Sequence, residues 1–194
     1  LTLAERPTLF VEFHGNEESV ALQSQQFAEI VAECGGGAFE WTADPQARAK
    51  LWKARHDVYF AAKNLKPGAA AIATDVCVPI SRLADCVAET EEDIDAHGLI
   101  APIVGHAGDG NFHVSLVLDD KDAADVKKAE EFVARINARA LAMDGTCTGE
   151  HGIGQGKIPY LEQELGGTVD LMRQIKRALD PDNIFNPGKI FYLG

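Results

Sequence analysis

A surplus of basic residues is missing from this sequence. Its 18 lysines and arginines face 30 aspartates and glutamates, a formal net charge of −12. Nucleic acids bind through dense basic surfaces that neutralise phosphates, so such a partner is disfavoured. A polybasic patch for anionic lipid is disfavoured for the same reason. A locally positive pocket for a small anion remains compatible with the composition. No apolar run approaches the roughly 20 residues that a membrane-spanning helix needs. Cys34, Cys77, Cys86 and Cys147 form no C-x-x-C pair and read as reduced, mostly buried thiols of an intracellular protein. Residues 1–6 lack the basic-then-apolar order of a secretory signal. With no initiator Met, the chain reads as a piece of a longer one.

What is present is a globular composition. The 194 residues are 46% hydrophobic and 25% charged, enough to bury roughly 70% of the unfolded surface. Turn residues punctuate the chain regularly. Residues 8–14 read as a strand closed by Gly15 and Asn16. Helical spacing of Val20, Phe27, Ile30, Val31 and Cys34 follows, stopped by Gly35, Gly36 and Gly37. Residues 38–42 read as a short strand. Asp44 caps a helix with Pro45 at its first position, running through Trp52, Arg55 and Tyr59 to about Asn64.

After Lys66, Pro67 and Gly68 the pattern restarts. Residues 72–78 form a strand, and Ser81 caps a helix that Gly98 ends. Strands at 99–106 and 113–118 precede a helix over 123–143, with Val126, Ala129, Phe132, Val133, Ile136, Ala140 and Met143 on its buried face. A glycine-rich loop reaches Lys157, and a last helix spans about 169–179. The expected fold class is α+β. Helices pack on one face of a mainly antiparallel sheet, in a ferredoxin-like arrangement with a weak internal duplication. Low-complexity linkers are absent, so one domain over 1–194 is expected.

The hairpin segment 105–113, G-H-A-G-D-G-N-F-H, is the most informative. Asp-Gly between strands signals a two-residue type I′ turn. Pairing outward from Asp109 and Gly110 sets His106 opposite His113, with Cβ atoms roughly 4.5–5.5 Å apart. Two imidazoles so placed can chelate one divalent ion. Segment 145–157 supplies a third ligand, because it carries adjacent Glu150 and His151 among glycines. Two His and one Glu form a known catalytic zinc set with an open position. Neighbours in an extended loop point apart, so Glu150 is assigned to the metal and His151 to proton transfer. The bland alternative is a tight turn with Glu150 in solvent. The loop is neither a Walker A motif, since Ile158 follows Lys157, nor a G-x-G-x-x-G dinucleotide fingerprint.

Arg55 shares a helix face with Trp52 and Tyr59, a setting that suits a carboxylate or a packed surface Arg equally. Asp75, among apolar strand residues, reads as a paired structural acid. His14, His56 and His97 have no partner motif. The acids Glu89, Glu91, Glu92, Asp93 and Asp95 read as a solvated helix face.

These segments, with 51–56 (L-W-K-A-R-H), 74–81 (T-D-V-C-V-P-I-S), 179–181 (L-D-P) and 186–189 (N-P-G-K), resemble the C-terminal part of FAD-linked oxidases of the vanillyl-alcohol-oxidase superfamily. The nearest likeness is to cytochrome-type D-lactate dehydrogenases and the glycolate oxidase flavin subunit. The resemblance implies a cap, or substrate-binding, domain over FAD held mainly by an N-terminal FAD-binding domain outside this chain. It implies oxidation of a D-2-hydroxy acid to a 2-oxo acid, with electrons passing to an acceptor such as cytochrome c or quinone. His106, His113 and Glu150 match the family's metal ligands, with zinc first and manganese or iron open. His151 matches its general base, Arg55 its carboxylate arginine, and Asn186 a segment that returns to the flavin. Members acting on dicarboxylic acids carry Lys and Asn near Ala73 and Ser115, so a small or apolar substrate side chain, lactate-like, is expected here. The expected location is cytoplasmic or peripheral to a membrane, mitochondrial in a eukaryote. The isolated piece is expected to be inactive. A stand-alone His/His/Glu metallohydrolase and a non-catalytic metal-stabilised domain stay open as alternatives.

Overall fold

The computed structural model describes residues 6–194, in two compact units that divide after Val58. The first unit holds α1 (Glu17–Glu33) and α2 (Pro45–His56). The Asn16 side chain accepts the Ser19 N–H at 2.9 Å to start α1, and Asp44 accepts the Ala47 N–H at 2.7 Å to start α2. The strands expected at 8–14 and 38–42 are not formed. Neither segment has a ladder partner among the described residues. Their aromatic residues are used otherwise, since Phe13 and Phe39 both pack on Phe27 of α1, with ring centroids 5.7 and 5.3 Å away. The helix expected to reach Asn64 is also broken. α2 ends at His56 with Asp57 as its cap, and α3 (Val58–Lys63) is a separate short helix.

The second unit is built on an antiparallel sheet of β1 (Ala70–Ala73), β2 (Val76–Cys77), β3 (Ile103–His106) and β4 (Asn111–Leu118). β4 is central, with β1 and β2 along one edge and β3 along the other. Every residue of β4 is buried, and its two faces differ in kind. Phe112, Val114, Leu116 and Leu118 join the core with Cys86 of α4 (Ile80–His97) and with Ala129, Phe132, Ile136 and Ala140 of α5 (Ala123–Ala142). Asn111, His113 and Ser115 alternate with them and therefore face the other side. A buried polar row on a sheet is costly unless each group is bonded, so this face is where chemistry is sought.

The helix boundaries show which signals decided them. Gly98 ends α4 with φ 60°, the left-handed cap read from the sequence. Ser81 does not cap α4, which begins one residue earlier after Pro79 with no side-chain cap. α7 (Thr168–Leu179) matches expectation, whereas α6 (Ile158–Leu165), which buries Ile158 and Leu161, was not anticipated. All four cysteines are free thiols, but Cys34 is exposed rather than buried.

The acid run on α4 is not wholly solvated either. Asp93 is buried and receives Arg135 of α5 at 2.7–3.0 Å, Arg139 at 3.0 Å and His97 Nδ1 at 2.9 Å. Burial pushes its carboxyl up, but the Arg135 and Arg139 bonds outweigh burial and hold it below the usual carboxylate range. Asp93→Ala, which takes the carboxylate from Arg135 and leaves Arg139 only Glu89 and Thr90, is expected to cost about 2–4 kcal/mol in denaturant unfolding. Because the folded value lies below the ordinary 3.8, this contribution is present above that pH and is lost as pH falls through the folded value. The gap between wild type and variant should therefore be constant near neutrality and close in strong acid.

Candidate active site

The hairpin between β3 and β4 is longer than the sequence suggested. A 3-10 turn, Ala107–Asp109, and Gly110 join the strands, and the register sets His106 opposite Asn111 and Val104 opposite His113. The two histidines are thus diagonal rather than directly opposed. The Asp-Gly pair serves a close approach instead of a two-residue turn. Gly110 has φ 73°, and a Cβ on it would lie 2.0 Å from the Val78 carbonyl oxygen. The register differs from expectation by two residues, and strand side chains alternate with period two, so both imidazoles still share one face. Their ring centroids are 6.1 Å apart at 88°.

Glu150 completes the cluster. Its Oε1 lies 2.8 Å from His113 Nε2 and 3.7 Å from both His106 Nε2 and His151 Nε2. One ligand atom from each of His106, His113 and Glu150 falls within 4.8 Å of the others. His113 Nδ1 lies 3.0 Å from the Thr74 carbonyl. A carbonyl only accepts, so Nδ1 carries the ring proton of the neutral imidazole, and Nε2 presents a lone pair to the carboxylate. At 2.8 Å the Nε2 and the carboxylate oxygen are held together by a shared cation or by a second ring proton on His113. The donor set of two imidazoles and a carboxylate suits a divalent zinc, manganese or iron ion. His106 and Glu150 are exposed enough to leave one side open to a substrate.

Asp75, His113 and His151 form a second possible ligand group, but its atoms are already committed. Asp75 is 1% exposed. Its carboxylate accepts from Asn111 Nδ2 at 2.9 Å, Thr148 Oγ1 at 2.9 Å, the Glu150 N–H at 3.2 Å, the His151 N–H at 2.9 Å and Lys157 Nζ at 2.9 Å. Burial raises its pKa, and the His151 N–H, Lys157, Asn111 and Thr148 together outweigh burial and hold it well below the carboxylate range. No lone pair is left well placed for a metal.

The strand expected over 72–78 is interrupted at this acid. β1 and β2 keep one register across the gap, which sets Thr74 and Asp75 opposite Val114 and His113. Thr74 Oγ1 accepts the Val114 N–H at 2.9 Å, while the Thr74 carbonyl turns to His113. Glu150 and His151 also depart from expectation, because their side chains converge. Both backbone N–H groups point at Asp75, so the loop curls around an anion instead of running extended. The His151 ring stacks on His113, with centroids 4.9 Å apart and planes 8° apart. The curl needs Gly149, where a Cβ would meet Asn111 Nδ2 at 1.8 Å.

Arg55 lies in the last turn of α2, in the first unit. Tyr59 belongs to α3, so the single helix face expected for Trp52, Arg55 and Tyr59 does not exist. Asn186 takes φ 46° in the final turn, a left-handed conformation that Asn tolerates. Four residues on, the Ile190 N–H donates to the Gly154 carbonyl at 2.6 Å and ties this turn's segment to the glycine-rich loop. His97 is held by Asp93, and His14 lies beside Glu12.

Comparison with known proteins gives the family. The family described as FAD linked oxidases, C-terminal domain, matches residues 1–190. A protein of Danio rerio named "Probable D-lactate dehydrogenase, mitochondrial" is 49% identical over 100% of this chain and 39% of its own length. "D-lactate dehydrogenase [cytochrome], mitochondrial" of Arabidopsis thaliana is 42% identical over 97% of this chain and 33% of its own. "Glycolate oxidase subunit GlcD" of Bacillus subtilis is 34% identical over 98% of this chain and 40% of its own. The chain thus spans about two-fifths or less of the curated relatives it matches. Among solved structures, a 4-ethylphenol oxidase from Gulosibacter chungangensis shares the fold, with TM-score 0.59 and 18% identity over 88% of this chain and 37% of that one. With the family matched across almost its whole length, the chain belongs to the C-terminal domains of FAD-linked oxidases.

Proposed function

We propose that this chain is the substrate-binding and catalytic cap domain of an FAD-dependent D-2-hydroxy-acid dehydrogenase acting on D-lactate or a similarly small acid. The carrying observation is the Glu150 carboxylate, which meets His113 Nε2 at 2.8 Å with His106 and His151 at 3.7 Å. The relatives are named as dehydrogenases and an oxidase subunit, which leaves the metallohydrolase alternative without support. FAD would be held mainly by an N-terminal domain, with Asn186 on the flavin side and cytochrome c or quinone as electron acceptor. Among the described residues no helix is long and apolar enough to cross a membrane. Together with relatives named as mitochondrial, this is compatible with a peripheral, mitochondrial location in a eukaryote.

In this reading His106, His113 and Glu150 hold a divalent metal, zinc first. The metal, when bound, acts as a Lewis acid on the substrate hydroxyl, and FAD, when bound, accepts the C2 hydride. The chain's own residues supply the rest. His113 donates its Nδ1 proton to Thr74 and so keeps Nε2 a ligand. His151 Nε2 takes the hydroxyl proton, and the 2-oxo acid results. Arg55 is assigned to the substrate carboxylate on its motif, where a planar fork gives two parallel bonds.

Substrate size is supported by the sheet. Ala73 and Ser115 are direct partners, two residues along β4 from His113 on the same face, and neither is charged. A second substrate carboxylate would find no cation in this pair. Ala73→Lys is expected to shift the ratio of kcat/KM toward a D-2-hydroxy dicarboxylate by roughly tenfold. An unchanged ratio would remove this pair from the specificity argument.

The central test uses the full-length protein. His113→Ala and Glu150→Gln should lose the metal by elemental analysis and lose turnover with D-lactate. His151→Ala should keep the metal and lose roughly 10²–10⁴-fold in turnover. Normal turnover and full metal content in His113→Ala would overturn the reading. The 194-residue chain alone should show no dehydrogenase activity.

A further inference from the structure

Glu150 and His151 are neighbours in sequence, yet their side chains converge on one imidazole. Nothing in the two side chains enforces this. Their backbone amides do, because both donate to Asp75, at 3.2 and 2.9 Å. Thr148 Oγ1, just upstream, donates to the same carboxylate at 2.9 Å. Lys157, at the far end of the loop, bonds Asp75 Oδ2 at 2.9 Å and the Asp75 carbonyl at 3.1 Å. Asp75 itself is fixed to the sheet. It lies opposite His113 in register and accepts from Asn111 of β4. One carboxylate therefore sets the loop's height over the strand that carries His113.

Charge supports the same conclusion. A buried carboxylate beside the anionic Glu150 would repel it and weaken its seat. The Lys157 ammonium neutralises Asp75 locally, which leaves Glu150 free to meet the imidazoles. Gly149 lets the loop descend close enough for these bonds, as its missing Cβ would sit 3.1 Å from Asp75 Oδ1.

We infer that Asp75 is a positioning residue. Through the amides of Glu150 and His151 it places the metal-binding carboxylate and the proton acceptor against His113, without touching the metal or the substrate. This inference rests on the metal reading above for its zinc arm and on the hydrogen-bond geometry alone for its second arm.

The test compares wild type, Asp75→Asn, Asp75→Glu and Thr148→Val as full chains, well below their melting temperatures. Zinc affinity is read by competition with a chromophoric chelator, and backbone amide exchange is read without metal. Asp75→Asn is expected to weaken zinc binding roughly 10–100-fold. The Glu150 and His151 amides should exchange faster, while those of Val114 and Leu116 in β4 stay protected. Asp75→Glu keeps the charge but lengthens the arm by a methylene, and should remain weakened. Full recovery in that variant would overturn the positional account. Thr148→Val removes one bond and should shift both readouts in the same direction by a smaller factor, so it carries the test should Asp75→Asn not fold. Unchanged zinc affinity and unchanged loop exchange in a folded variant overturn the inference. Wild type that takes up no zinc defeats the metal reading instead, and the exchange arm then decides this inference by itself.

Discussion

The carboxylate of Asp75 is the fixed point on which the site is assembled. An ionised acid taken out of water costs several kcal/mol unless it is paired and its lone pairs are used. Here five donors come from the neighbouring strand, the glycine-rich loop and Lys157. Loop and sheet each leave the other's polar groups unsatisfied if separated. The association is therefore specific as well as favourable: a shifted loop would strand a buried charge.

The sheet supports this by keeping two kinds of face on one strand. In β4, Phe112, Val114 and Leu116 bind the helices, and Asn111, His113 and Ser115 carry polar chemistry. The helices hold the strand rigid from behind. The Asp93 cluster links α4 to α5 through Arg135 and Arg139, so the platform is braced at a distance from the His113 and Glu150 cluster.

Much of this was legible in the sequence because it depends on period and punctuation. The strand over 113–118, the 3.6-residue spacing of α5 and the Gly98 stop were each read from local pattern, as was the α+β class. The sharing of one face by His106 and His113 survived a wrong turn type because an even register shift preserves sidedness. What was not legible depends on partners. The stretches around Phe13 and Phe39 have strand character, but pattern cannot say that Phe27 will take their aromatic rings in place of a ladder. The weight of Asp75 was likewise hidden, since an acid among apolar residues reveals its burial but not its donors. The Thr-Asp pair within an apolar run was the available signal, and it marked the interruption between β1 and β2. The convergence of Glu150 with His151 follows from the curled loop, which adjacency alone does not disclose.

The interruption at Thr74 joins two properties usually treated as separate. Its hydroxyl stands in for a missing rung of the ladder, and its carbonyl fixes which nitrogen of His113 bears hydrogen. Sheet integrity and imidazole tautomer are therefore settled by one peptide unit in one conformation. Damage at that residue would weaken the scaffold and release the His113 ring together, so a loss of robustness and a misplaced imidazole there would share one molecular origin.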